Sequence, residues 1–306
     1  MSNGASDTQA PNGSTKIPGT GRTSNEVRWI DAWTRWERRE SISDDEDDED
    51  TVSDQDESKE VFPFHFTTAT DGAMDGANDV RIELQGFAMD SQQAWCSTGL
   101  TPWQSGRVLC EYLVRHPETL SSSTRILECG SGLGLCGLVA HAILRQQQQQ
   151  ESCVVLTDGD TDTLRQLRAN VQRNVTSTTG STATIACRQL LWGTEPAMEF
   201  LQQQQQQQQT QFDVILGADL IYVHAMVERL WETVEKLLST TNPDACFLMA
   251  YCPRETAASD QRRVSLCDIL EVAEQKGFVY EKCSEEPAGG ERITVHAFRW
   301  ASPQRS

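Results

Sequence analysis

The sequence predicts an α/β fold in which a mostly parallel sheet carries helices on both faces and closes with an antiparallel hairpin at its C-terminal edge. Three observations predict it. From residue 61 onward, short apolar strands alternate with stretches of helical period. The strands "TRILEC", "CVVLTD" and "FDVILGAD" are apolar nearly throughout, as strands covered on both faces are. The last two β segments, "FVYEKC" and "RITVHAFRW", follow one another with no helical stretch between them.

Taken in order, "VFPFHF" and "VRIELQGF" read as two β segments joined by a Gly- and Asp-rich turn. "TPWQSGRVLCEYLVRHPE" has a helical period and leads into "TRILEC". A helix "GLCGLVAHAIL", the strand "CVVLTD" and a helix "DTDTLRQLRANVQRN" come next. "ATIACRQLLW" and "FDVILGAD" then read as successive strands, with the helix "HAMVERLWETVEKLL" behind them. The strand "CFLMAY" and the helix "VSLCDILEVAEQKG" precede the closing hairpin. Two glutamine tracts, 146–150 and 202–209, interrupt this pattern just ahead of a strand. In right-handed βαβ units such loops lie at the amino edge of the sheet, opposite the edge that binds ligands. They are therefore expected to be tolerated low-complexity insertions remote from the chemistry.

Residues 1–60 have another character. They carry 16 acidic and 7 basic side chains, a net of −9 out of the chain's −19. Poor in aliphatics and centred on "SDDEDDED", this stretch cannot bury enough surface to offset chain entropy and is expected to be a disordered acidic tail. Within 25–40, Trp29, Trp33 and Trp36 recur at helical spacing behind Asn25, which suggests a short amphipathic helix. Residues 61–300 form the expected folded domain.

Charge and composition exclude several classes. An acidic body without a basic stripe argues against binding nucleic acid. No apolar run reaches the roughly 18 residues of a membrane span, and no apolar signal core is visible. The ten cysteines include no CxxC pair and mostly lie in apolar stretches, so they read as reduced core residues with no metal role. The expected location is the cytosol, with the nucleus as the alternative.

"ILECGSGLGLCG" carries the strongest signal. A strand ends at Glu128 and runs through Gly130, Ser131, Gly132 and Gly134 into a helix, so the backbone turns tightly near a helix N-terminus. Gly132, Gly134 and Gly137 also spell the dinucleotide pattern GxGxxG. The acid separates the alternatives. A carboxylate at Glu128 would repel a pyrophosphate, whereas S-adenosylmethionine has no phosphate and carries an ammonium beside its sulfonium. Asp158, ending the next strand, can accept from both ribose hydroxyls, while Asp160 suits the cap of the following helix. Trp192 offers a flat wall for adenine, or a core packing residue.

The order of "TPW", "LECGSGLGLCG", "LTDGD", "LLWG" and "ILGADLIY" resembles the family-16 seven-strand methyltransferases, over roughly residues 80–300. The resemblance implies a Rossmann-like seven-stranded sheet and S-adenosylmethionine as cofactor. It implies that Trp103, the Gly130–Gly132 turn, Asp158, Trp192 and Ala218 line the cofactor pocket, and that Asp219 and Tyr222 fill the family's DxxY positions. The best-known members methylate protein lysines, so a lysine of a cytosolic protein is the expected acceptor.

Asp219 and Tyr222 stand three apart at the end of an apolar strand. The chemistry needs a group that orients an amine, and a carboxylate with a tyrosine beside it supplies one. An Asp capping the next helix with a Tyr packed on it is the structural alternative. Small-molecule N-methylation and a catalytically silent cofactor-binding module are the other functional readings. A NAD-dependent oxidoreductase is disfavoured by Glu128 and by the helix-free β end.

Overall fold

The computed structural model describes residues 59–67, 79–88, 98–120, 125–147, 152–175, 183–205, 211–221, 224–253, 264–288 and 291–301. The acidic tail, the Trp-bearing segment 25–40 and Tyr222 lie outside the described residues.

Two strands, β1 (Glu60–Phe66) and β2 (Val80–Gly86), pair antiparallel as a separate ribbon. Helix α1 (Gln104–Arg115) follows, then β3 (Arg125–Glu128), α2 (Leu135–Gln146), β4 (Cys153–Asp158), α3 (Thr161–Asn174) and β5 (Thr184–Gln189). The second half holds α4 (Thr194–Gln205), β6 (Val214–Ala218), α5 (Ala225–Leu237), β7 (Cys246–Tyr251) and α6 (Leu266–Gln275). The hairpin β8 (Phe278–Ala288) and β9 (Glu291–Trp300) closes it. The main sheet has seven strands in the order β5-β4-β3-β6-β7-β9-β8. Strands β3 to β7 run parallel, and β9 is antiparallel to both β7 and β8. The chain steps outward from β3 to β5 and then returns to lay β6 against β3. That reversal places a crevice beyond the carboxyl ends of β3 and β6, where ligands bind in such sheets.

Alternation along the strands divides the core in two. Ile126, Leu156, Val214, Leu216 and Leu248 pack with α1, α2, α3 and the ribbon on one face. Leu127, Val155, Ile215, Phe247 and Met249 pack with α4, α5 and α6 on the other. Trp231 of α5, fully buried, centres that second face; its ring lies 4.8 Å from Phe298 and 5.6 Å from Phe247. The apolar runs are thus strands buried on both sides, as their composition requires.

The ribbon is tied down by two asparagines one turn apart on α3. Asn174 Oδ1 accepts from the Glu83 N–H at 2.8 Å and its Nδ2 donates to the Glu83 carbonyl at 2.7 Å. Asn170, fully buried, does the same for Gln85 and also donates to the Leu133 carbonyl at 3.1 Å. Side-chain amides here reproduce the donor–acceptor pair of a neighbouring strand, so the edge of β2 is not left open.

Three features differ from the sequence expectation. A helix, α4, stands between β5 and β6, where two successive strands were expected. Its glutamine-rich second half has helical propensity but no apolar stripe, so periodicity did not reveal it. The second glutamine tract consequently begins inside α4 and does not start as a loop. Strand β5 ends at Gln189, which leaves Trp192 in the turn before α4, beyond the strand. The cap on α3 agrees with expectation: Asp160 accepts from the N–H groups of Asp162 and Thr163 at 2.9 Å.

Nine of the cysteines fall among the described residues and all are free thiols, five of them buried. Among the described residues no cluster could hold a metal ion, and no helix is long and apolar enough to cross a membrane.

Candidate active site

Four segments meet at the carboxyl edge of the sheet. The first is the turn after β3. Its course needs glycine: φ is +56° at Gly130, +53° at Gly132 and +91° at Gly134, where a β-carbon is disfavoured. Space is also short at Gly130. A Cβ there would sit 2.8 Å from Leu220 Cδ2 and 3.4 Å from the Trp192 ring. One backbone position thus touches both the segment after β6 and the turn after β5.

Ser131 is a strut between β3 and β4. Its Oγ accepts from the Thr157 N–H at 2.9 Å and donates to the Glu128 carbonyl at 3.2 Å, and its own N–H donates to the Thr157 carbonyl. The side chain is buried and serves the protein backbone.

Glu128 turns inward as well. It is 4% exposed, and Oε2 accepts from the Gly137 N–H in the first turn of α2 at 3.0 Å. Burial pushes its carboxyl up to about 7, against the opposing effect of that hydrogen bond. Gly137 is small because a Cβ would come within 2.8 Å of this oxygen and of Leu156.

Asp158, at the end of β4, spans the turn. Oδ2 accepts from the Gly132 N–H and Oδ1 from the Asp160 N–H, each at 3.0 Å. Burial raises its carboxyl to about 6, with these N–H donors pulling the other way. The acid that meets the glycine turn from outside is therefore Asp158. It already engages the Gly132 N–H, a donor that a pyrophosphate would need, so the turn is built for a ligand without phosphate there. Asp158, and not Glu128, is the carboxylate bonded to an N–H of the glycine turn itself, while Glu128 bonds the Gly137 N–H of α2. Each Asp158 oxygen keeps a second acceptor site, which suits two ribose hydroxyls.

The third segment precedes α1. A 3₁₀ turn at 98–100 lies against the glycine turn, since a Cβ on Gly132 would be 3.0 Å from the Gly99 carbonyl oxygen. Trp103 follows as the half-buried residue before α1 and donates its indole N–H to the Thr98 carbonyl at 2.9 Å. Gly99 was not singled out from the sequence, where a lone glycine before "LTPW" gives no distinctive signal.

The fourth segment is the end of β6. Ala218 pairs with Ala250 of β7 and is half-buried. Asp219 follows with φ +57°, the one non-glycine residue with positive φ among the described residues. Its N–H donates to the Ala250 carbonyl at 3.1 Å, which anchors the turn to the neighbouring strand. Left-handed backbone at a non-glycine residue stores strain, and Asp is among the few side chains that tolerate it. Leu220, missed in the sequence, is the apolar residue that closes on Gly130.

The structure therefore gathers Trp103, Gly130, Gly132, Asp158, Trp192, Ala218 and Asp219 at one edge, and it sends the side chains of Glu128 and Ser131 into the backbone network beneath. Gly134 lies at the entry of α2, where a Cβ would meet Leu167 at 2.5 Å.

The chain is similar to several known methyltransferases. A yeast protein-lysine N-methyltransferase, EFM6 of Saccharomyces cerevisiae, is 30% identical over 51% of this chain and 64% of its own length. The chain thus spans less than two thirds of that relative. The protein N-terminal and lysine N-methyltransferase efm7 of Emericella nidulans is 28% identical over 66% of this chain and 80% of that protein. METTL21A of Xenopus tropicalis, a protein N-lysine methyltransferase, is 33% identical over 49% and 61%. Among solved structures, the magnesium protoporphyrin IX methyltransferase of Synechocystis covers 64% of this chain and 82% of its own, with 13% identity and a TM-score of 0.41. Residues 86–265 match the family described as lysine methyltransferase, a span that holds both the glycine turn and the strand bearing Asp219. The chain belongs to the lysine methyltransferase family.

Proposed function

We propose that this protein transfers a methyl group from S-adenosylmethionine to the side-chain amine of a lysine on a protein substrate. The observation that supports it most directly is Asp219, held in left-handed backbone beside the glycine turn, one strand over from Glu128. The cradle fits this cofactor: Asp158 stands where ribose hydroxyls can donate, Trp192 flanks Gly130 as a wall for adenine, and Trp103 is held before α1 by the Thr98 carbonyl. When bound, the cofactor supplies a methyl group on a positively charged sulfur.

The protein's own contribution is positioning. A lysine amine has a reference pKa of about 10.4 and must lose its proton before it can attack. Asp219 draws the ammonium to the carboxyl edge and then holds the neutral amine through an N–H, with Tyr222 as its partner in orienting it. A carboxylate raises the amine's pKa, so the proton leaves to water before the amine is enclosed. Alignment of nitrogen with the methyl carbon then supplies most of the acceleration. The cytosol, or the nucleus, is where such a substrate would be met.

The experiment is incubation of the protein with isotopically labelled S-adenosylmethionine and a host lysate, followed by mass spectrometry. Label on the ε-nitrogen of a protein lysine is the expected result. Label confined to small molecules, or no transfer by a protein that binds S-adenosylhomocysteine, would overturn the reading.

A further inference from the structure

The Trp192 turn is held from the neighbouring helix by a single buried hydroxyl. Thr233 of α5 is fully buried, and its Oγ1 accepts from the Gly193 N–H at 2.8 Å. The same hydroxyl donates to the Arg229 carbonyl one turn back at 2.9 Å. Next to it, Glu232 Oε2 accepts from the Thr194 N–H at 3.2 Å. Gly193 has φ +135°, a conformation that glycine alone adopts readily, so the residue after Trp192 is fixed by backbone geometry. Gly193 stands just before α4 and Thr194 is its first residue, so side chains of α5 take up the N–H groups at the entry of α4. The Trp192 ring, one residue upstream, stands over Gly130.

We propose that Thr233, with Glu232 beside it, is a positioning residue for cofactor affinity: it sets where the Trp192 ring stands and thereby the width of the adenine slot. Thr233 meets the turn through a hydroxyl that must both accept and donate. Valine has the same shape and can do neither; serine can do both. A loose Gly193 lets Trp192 leave the face of Gly130, and the adenine loses its wall while the ribose and methionine contacts stay. The inference rests on the reading of Trp192 as the adenine wall.

The test is calorimetric titration of the full chain with S-adenosylhomocysteine and with adenosine, at a temperature well below melting. Thr233→Val should bind both about tenfold more weakly, the loss of one hydrogen bond to a buried N–H, while Thr233→Ser binds as wild type. Equal loss for the two ligands places the defect at the nucleoside. Glu232→Ala removes the neighbouring contact without emptying the core and should weaken both about threefold, so it reports even where the buried substitution compromises folding. Wild-type affinity in a folded Thr233→Val protein, or equal loss in the Ser and Val variants, would overturn the proposal. So would unchanged affinity in Glu232→Ala where Thr233→Val does not fold. Trp192→Ala is the control: if it leaves affinity intact, the adenine-wall reading itself fails, whereas loss in Trp192→Ala without loss in Thr233→Val refutes only the role of Thr233.

Discussion

Replacement of Asp219 separates its backbone role from its chemistry, and alanine is the wrong substitution with which to begin. At φ +57° an alanine carries the full left-handed penalty, about 1–2 kcal/mol, which Asp and Asn soften by bonding locally. For a domain of this size about 1 kcal/mol moves Tm by roughly 2–4 °C. Asp219→Ala should therefore melt a few degrees early whether or not the carboxylate is catalytic. Asp219→Asn keeps the shape, the tolerance of that backbone and an oxygen acceptor, and loses only the charge. The expected pattern is an unchanged Tm and an unchanged S-adenosylhomocysteine Kd for Asn, with methyl transfer to the identified protein substrate lowered at least tenfold, about 1.4 kcal/mol of transition-state stabilisation. Scanning calorimetry, titration and a labelled-methyl assay read the three quantities. Full activity in Asp219→Asn would show that charge at this position is irrelevant. An early-melting Asn variant with weakened cofactor binding would make Asp219 a structural cap.

Glu128 and Asp158 predict opposite responses to pH. Glu128 is raised in the folded state to about 7 from 4.5, so the fold holds a proton there that the unfolded chain releases; stability from this group falls as pH rises from about 4.5 to about 7, by up to about 3 kcal/mol. Glu128→Gln, which keeps an acceptor for Gly137, should flatten that part of the Tm–pH curve; an identical curve would show that Glu128 does not titrate there. Asp158, raised to about 6, must be ionised to receive two ribose hydroxyls, so S-adenosylhomocysteine affinity should drop as pH falls through 6, and Asp158→Asn should bind weakly at every pH. Asn170→Ala leaves the Gln85 N–H and the Gln85 and Leu133 carbonyls without their side-chain partner and should cost about 2–3 kcal/mol by chemical denaturation, with no cofactor effect beyond it. Removal of residues 1–58, or shortening of both glutamine tracts, should leave S-adenosylhomocysteine affinity unchanged; a large loss would place one of those segments at the site.

The sheet was legible because its strands are double-faced. Val154, Val155 and Leu156 are all buried, two against one helical layer and one against the other, so the run had to be apolar without alternation. The glycine turn was legible for a related reason: left-handed backbone at Gly130 and Gly132 leaves few residue choices. Asp160 announced itself as a cap through its position alone. What failed to show was whatever depends on a partner distant in sequence. The helix α4 has no stripe to betray it, and its caps come from Thr233 and Glu232, some 40 residues on. Asn170 and Asn174 read as ordinary polar positions on an exposed helix; their work as a substitute strand depends on Glu83 and Gln85, which nothing local identifies.

The inward turn of Glu128 bears on how the site chooses its ligand. Read from sequence, an acid just before a glycine turn looks like a charge presented to the ligand. In the fold, that carboxyl is buried against the first turn of α2, where a fully ionised group would be costly, and its affinity for a proton rises accordingly. Its role is to join β3 to α2 so that the turn between them is rigid. The charge presented outward comes from the next strand, where Asp158 clasps Gly132 with one oxygen and Asp160 with the other. The two acids thus divide the labour. Glu128 fixes the shape of the turn from beneath, and Asp158 fixes its polarity from above. A phosphate approaching the Gly132 N–H would meet a carboxylate already there, whereas a ribose meets two oxygens with acceptor capacity to spare. We infer that selection against dinucleotides at this turn follows from which acid reaches its donors, Asp158 on the Gly132 N–H, and that Glu128, two residues before the first glycine, does not decide it.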